Sequence, residues 1–190
     1  MRKLWSVLGF ILILSAYIPQ RVNAQAPALE TAQDFFNAGI FMYQHEELDD
    51  AIELITEAIR RDPNLALAYS FRGAIYRQKG NLDLAIADYI QALRIVPNNA
   101  DFVQRAADVY EQRGIAHFQA RNFDRAISDL TEAIRLNPRG ELYFVRGLAY
   151  HEKGNLLQAI EDMETVLRLD PNAPPLVRQN LEIFRQQLGR

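Results

Sequence analysis

Four stretches of this chain read alike, and that self-similarity restricts its fold more than any other feature. They are "YSFRGAIYRQKGNLDLAIADYIQALRIVPN", "YEQRGIAHFQARNFDRAISDLTEAIRLNP", "YFVRGLAYHEKGNLLQAIEDMETVLRLDPN" and, more loosely, "FFNAGIFMYQHEELDDAIELITEAIRRDPN". The prolines that close them are Pro63, Pro97, Pro138 and Pro171, at separations of 34, 41 and 33 residues. A period of this size belongs to stacked supersecondary units, each too small to bury its own apolar face. Gly39, Gly73, Gly114 and Gly147 sit inside stretches of helical period, where glycine costs about 1 kcal/mol against alanine. A cost repeated four times needs a recurring reason, and a close helix–helix approach supplies one. Ala51, Ala85, Ala126 and Ala159 offer the small facing surface.

Each unit resembles the tetratricopeptide repeat, a helix–turn–helix of about 34 residues. The residues that carry the resemblance in the second unit are Tyr69, Gly73, Tyr76, Ala85, Tyr89, Ala92 and Pro97. The third has Tyr110, Gly114, His117, Ala126, Leu130 and Ala133. The fourth has Tyr143, Gly147, Tyr150, Ala159, Met163 and Val166, and the first has Phe35, Gly39, Met42, Ala51, Ile55 and Ala58. The resemblance covers about residues 32–173. It implies an all-α solenoid of four units, at about 32–65, 66–99, 100–139 and 140–173, followed by a capping helix over 174–190.

Two of the turns inside the units read "KGN". There Gly80 and Gly154 suit a left-handed helix end, and Asn81 and Asn155 suit the cap of the next helix. Glu46 and Arg121 replace the glycine elsewhere, so those turns are expected to be strained or differently shaped. Between Pro97 and Pro138 lie seven extra residues, mostly "ADFVQRA". Seven residues make about two helical turns, which keeps helical phase and lengthens the first helix of unit three at its start. After Pro171, Leu176, Leu181, Phe184 and Leu188 alternate with polar residues, as a solenoid's terminal helix requires.

The opening "MRKLWSVLGFILILSAYIPQRVNAQA" differs from the rest. Arg2 and Lys3 precede an apolar run from Leu4 to Ile18, then Pro19 and small Ala24. This is the layout of a secretory signal peptide over 1–24, with 25–31 as a short linker. The alternative is an uncleaved anchor, for which 15 apolar residues are short. The reading implies an exported protein, in a periplasm, a thylakoid lumen or secreted. The membrane enters only through residues 1–24 if they are retained. Beyond residue 24 there are 18 basic and 24 acidic residues, so a phosphate-tracking nucleic-acid surface is not expected. The chain has no cysteine. Disulfides, thiolate zinc sites, a cysteine nucleophile and lipid attachment through cysteine are thereby excluded.

No catalytic constellation emerges. His45, His117 and His151 fall in three different units, without metal-ligand spacing. There is no phosphate-binding glycine loop or nucleophile elbow. The expectation is a non-catalytic protein without cofactor or metal.

The resemblance implies a binding groove lined by the first helix of each unit. Carried onto this sequence, its residues are Phe36, Ile40, Tyr43 and Gln44, then Ser70, Ala74, Arg77 and Gln78. Unit three gives Glu111, Ile115, Phe118 and Gln119, and unit four Phe144, Leu148, His151 and Glu152. The family's clamp for a peptide carboxylate needs lysines and asparagines. Phe36 and Ile40 stand where such residues are expected, so chaperone tails are not the expected ligand. An apolar, aromatic groove suits an amphipathic helix or a hydrophobic peptide of a partner protein. The other function class is self-association into a homo-oligomer of a cell-envelope assembly.

Charges within the repeat have a separate reading. Arg72, Arg113 and Arg146 lie beside the packing glycine and are each followed sixteen residues later by Asp88, Asp129 and Asp162. Unit one has Ala38 and Leu54 in the two slots, so the pair is present together or absent together. Pairing within units leaves no orphan, whereas pairing between units strands Arg72 and Asp162. The expectation is three shielded ion pairs, because a buried charge needs a partner. The alternative is a row of groove arginines for an acidic ligand.

Overall fold

The repeated glycines and alanines become the contact lines of paired helices. The computed structural model describes residues 29–189. The expected signal peptide, residues 1–24, lies outside them. Unit one is α1 (Ala32–Gln44) and α2 (Leu48–Arg61); unit two is α3 (Ala66–Gln78) and α4 (Leu82–Ile95). Unit three is α5 (Ala100–Gln119) and α6 (Phe123–Leu136), and unit four is α7 (Gly140–Glu152) and α8 (Leu156–Leu169). The terminal helix is α9 (Pro175–Leu188). The architecture is an all-α solenoid.

Within a unit the two helices meet at the glycine. A Cβ on Gly39 would lie 2.5 Å from Ile55 Cγ1, and one on Gly147 would lie 2.8 Å from Met163 Cε and 3.3 Å from the Ala159 carbonyl. Ala51, Ala85, Ala126 and Ala159 are fully buried opposite. A side chain at Gly39 or Gly147 would therefore force the facing Ile55 or Met163 to shift, and at Gly73 and Gly114 the nearest atoms, at 3.3 and 3.0 Å, leave little room.

The four inner turns share one geometry. Gly80 and Gly154 have φ of 77°, while Glu46 and Arg121 have φ of 65° and 59°. In each turn the amide of this residue donates to a carbonyl three residues back: Gly80 to Arg77, Glu46 to Tyr43, Arg121 to Phe118. Glu46 and Arg121 therefore do not reshape their turns. They carry the strain of a left-handed residue with a Cβ, about 1–2 kcal/mol each. Glu46→Gly is expected to raise the unfolding free energy by about 1 kcal/mol in urea denaturation. No gain would show the strain already relieved.

Asn81 and Asn155 differ from expectation. They precede their helices but accept no amide through their side chains. Their backbone amides instead donate to Tyr76 and Tyr150 carbonyls at 2.8 and 2.9 Å. With ψ near 69° the side chain is not aimed at the helix start. True side-chain caps occur at Thr31, in a reciprocal capping box with Asp34, and at Asn99, which accepts from the Phe102 amide.

The lengthened first helix of unit three is α5, with 20 residues against 13 in α1, α3 and α7. Its added turns are anchored. Phe102 is buried against Ala66 of α3 and Ala92 of α4. At the other end α9 closes the stack, burying Val177, Leu181 and Phe184 against Met163 and Val166 of α8.

Candidate functional site

The ion pairs set the geometry of the units. Arg72 donates through Nε to Asp88 Oδ2 and through Nη2 to Asp88 Oδ1, both at 2.8 Å. Arg146 forms the same fork on Asp162 at 2.9 and 2.7 Å, and Arg113 on Asp129 at 2.8 and 2.6 Å. The aspartate side chains are only 4–8% exposed and the arginines 15–25%. Tyr69 and Tyr76 flank the Arg72 guanidinium, and Tyr143 and Tyr150 flank that of Arg146. Burial pushes the Asp162 carboxyl up, opposed by the Arg146 hydrogen bond. Burial also opposes the charge on Arg146, but Asp162 outweighs it and the guanidinium holds its proton more tightly than usual.

The remaining guanidinium nitrogen reaches across to the preceding unit. Arg72 Nη1 donates to Thr56 at 2.9 Å, and Arg146 Nη1 to Thr131 at 3.1 Å. At the middle junction the threonine slot holds Ile90, and Arg113 turns to Asp83 instead. Lysines clasp the outer junctions, Lys79 to Asp49 at 2.6 Å and Lys153 to Asp124. Ala120 occupies the lysine slot between units two and three, which leaves Asp83 to Arg113. The acids of these clasps are more than 80% exposed, so each link is worth little. The forks inside units are the better-shielded ion pairs.

The first helices touch one another in sequence and form one continuous wall. Phe71 of α3 packs edge-on against Phe36 and Tyr43 of α1, with ring centroids 5.8 and 5.2 Å apart. Arg77 of α3 donates to Gln112 of α5 at 3.1 Å. Arg139, just before α7, donates to Glu111 of α5 at 2.6 Å. Ile40, Tyr43, Ala74, Arg77, Ile115, Phe118, Phe144 and Leu148 are half-buried along this wall, and Gln44, Gln78 and Gln119 are exposed. A hollow of about 500 Å³ between units two and three is lined by Arg77, Asp108, Glu111, Gln112, Ile115 and Gln119.

Three residues named from the sequence are not on the open wall. Phe36 is 6% exposed because Phe71 covers it, and Ser70 is 5% exposed. His151 stacks on Phe184 of α9, centroids 4.3 Å apart and planes at 16°, and its Nε2 meets Gln187 Oε1 at 2.9 Å. Asp108 and Gln112, in turn, were not named from the sequence. Asp108 lies three residues before Glu111 on the lengthened helix, a helical neighbour that the i, i+3 spacing makes visible.

The tetratricopeptide repeat family matches residues 104–174, and a second repeat of the same kind matches residues 73–120. Among curated proteins, the chain is 36% identical over 91 residues to the DnaJ homolog subfamily C member 7 homolog of Schizosaccharomyces pombe, covering 47% of this chain and 19% of that protein. It is 37% identical over 75 residues to Tetratricopeptide repeat protein 16 of Mus musculus, covering 40% and 9%. The chain thus spans less than a fifth of the length of these curated relatives. Among solved structures it resembles a TPR repeats protein from Bacteroides fragilis, with a TM-score of 0.62, 18% identity and coverage of 83% and 84%. It also resembles the MamA protein, at 0.54, 22%, 84% and 84%, and YrrB, a TPR protein with an unusual peptide-binding site, at 0.51, 22%, 83% and 78%. Sequence matches to the repeat, four glycine-packed helix pairs and these shared folds agree: the chain belongs to the tetratricopeptide repeat family.

Proposed function

We propose that this chain is an exported, non-catalytic adaptor that binds a segment of a partner protein along the wall made by α1, α3, α5 and α7. The observation that carries the reading is the row of half-buried apolar side chains on that wall, among them Tyr43, Ile115, Phe118 and Leu148. Contiguous apolar patches on a folded protein mark interaction sites, whereas single exposed apolar residues do not. The forks on Asp88, Asp129 and Asp162 occupy the arginines, which argues against an acidic ligand held by an arginine row. YrrB, of the same fold, has a peptide-binding site.

The experiment is capture from the cell-envelope fraction, where the native protein is expected to begin at Gln25. Tyr43→Ser, Phe118→Ser and Phe144→Ser together are expected to abolish capture of the partner while the helical circular dichroism stays unchanged. Undiminished capture would reject this wall as the site.

A further inference from the structure

We infer that the solenoid carries a hinge between units two and three, about which the first two units swing against the last two and open or close the inner-turn edge of the stack. The observation is a break in the packing between units. Counted from the packing glycine, three positions of each first helix face the preceding unit. Five residues before the glycine stand Ala68, Val109 and Leu142, all at most 1% exposed. Two before it stand Phe71, Gln112 and Val145, and two after it Ile75, Ala116 and Ala149. Phe71 and Val145 pack against apolar side chains of the preceding unit, and Ile75 and Ala149 are fully buried. Gln112 and Ala116 of α5 are exposed instead. The first half of α5 therefore meets unit two, and the second half stands off it.

The gap shows on both sides of the junction. A hollow of about 760 Å³ lies between the start of α4 and α6, lined by Leu82, Leu84, Arg113, His117 and Ser128. The hollow beside Ile115 and Gln119 lies on the groove side. Both flank the second half of α5. Side-chain links across it, Arg77 to Gln112 and Arg113 to Asp83, end on exposed acceptors and are worth little. The threonine and lysine that tie the other two junctions are Ile90 and Ala120 here.

The opposite edge of the same junction is closed. Phe102, 2% exposed, sits on Ala66 and Ala92, and Ala106 and Val109 are buried with Ala85, Ile86 and Tyr89. A junction packed at one edge and empty at the other has one soft motion, rotation about the packed edge. Units of a solenoid lean only on their neighbours, so this one interface sets the angle between the halves. Swinging about Phe102 changes the width of the gap beside Ile115. Each half stays rigid, because its own junction holds Phe71 and Ile75, or Val145 and Ala149.

The chain has no cysteine, so introduced pairs take spin labels selectively. Glu47→Cys/Asn155→Cys reads the inner-turn edge and Arg60→Cys/Arg168→Cys the outer edge, all at exposed positions of units one and four. Double electron–electron resonance is expected to give a distance distribution about twice as broad at the inner-turn edge as at the outer. Gln112→Val/Ala116→Ile fills the gap with side chains used at the other junctions, and is expected to narrow the inner-turn distribution to the width of the outer. Equal widths at the two edges in the parent chain overturn the hinge. An inner-turn width unchanged in the filled variant overturns it too, since the softness then lies elsewhere along the stack. Where the double variant loses its helical circular dichroism, Ala116→Ile alone is read in the same way. Capture of a partner plays no part in this measurement, so the hinge and the groove reading fail separately.

Discussion

Asp162→Ala is expected to lower the unfolding free energy by about 3 kcal/mol, at the lower end of the cost of breaking a buried pair. The substitution removes a carboxylate 4% exposed and leaves Arg146, 15% exposed, facing two tyrosine rings without its counter-ion. The lower end applies because Arg146 keeps its bond to Thr131 and a little contact with water. Replacing both partners, as Arg146→Ala/Asp162→Leu, copies the Ala38 and Leu54 of unit one. There Leu54 is buried in an apolar cluster. The double variant is expected to cost about 1 kcal/mol, because no charge is stranded and only the arginine's ring contacts are lost. Urea denaturation of the two variants decides the matter. Equal losses would show that the fork contributes nothing as a pair.

The second large effect is expected at the cap. Phe184 is 2% exposed and holds α9 to unit four through His151 and the Met163 cluster. Phe184→Ala removes a ring from a packed site, at a cost of about 3–5 kcal/mol. In a solenoid each unit leans only on its neighbours, so the loss is local at first. Amide hydrogen exchange in 175–188 is expected to rise to that of an open chain while α1 and α2 keep their protection. Uniform loosening along the chain would show that α9 acts on the whole stack and not on unit four alone. Phe184→Leu keeps most of the buried volume and is expected to leave exchange in α9 slow.

Both effects could be anticipated from the sequence to different degrees. The Arg–Asp forks were legible because each lies inside one unit and recurs three times, with unit one as a natural absence. A contact repeated at fixed spacing leaves a trace in the sequence. The seven extra residues, mostly 100–106, were legible for a similar reason: two whole turns extend a helix without disturbing its phase. The turns at Glu46 and Arg121 were legible only in part, since their strain could be read from the missing glycine but their common shape could not.

Contacts between units left a weaker trace: threonine recurs at 56 and 131 and lysine at 79 and 153, but the middle junction breaks both patterns. Phe36 reads as a groove residue until Phe71 of the next unit closes over it, and His151 until Phe184 stacks on it. The third nitrogen of each arginine goes to Thr56, Thr131 or Asp83 according to what the preceding unit offers. The sequence by itself determined the helix pairs, their glycine contact lines and their internal charge pairs. Spacing inside a unit of about 34 residues fixes which side chains can meet. Only the tertiary structure decided which wall residues stay open. That depends on how far each unit turns against its neighbour, and no spacing within one unit carries that angle.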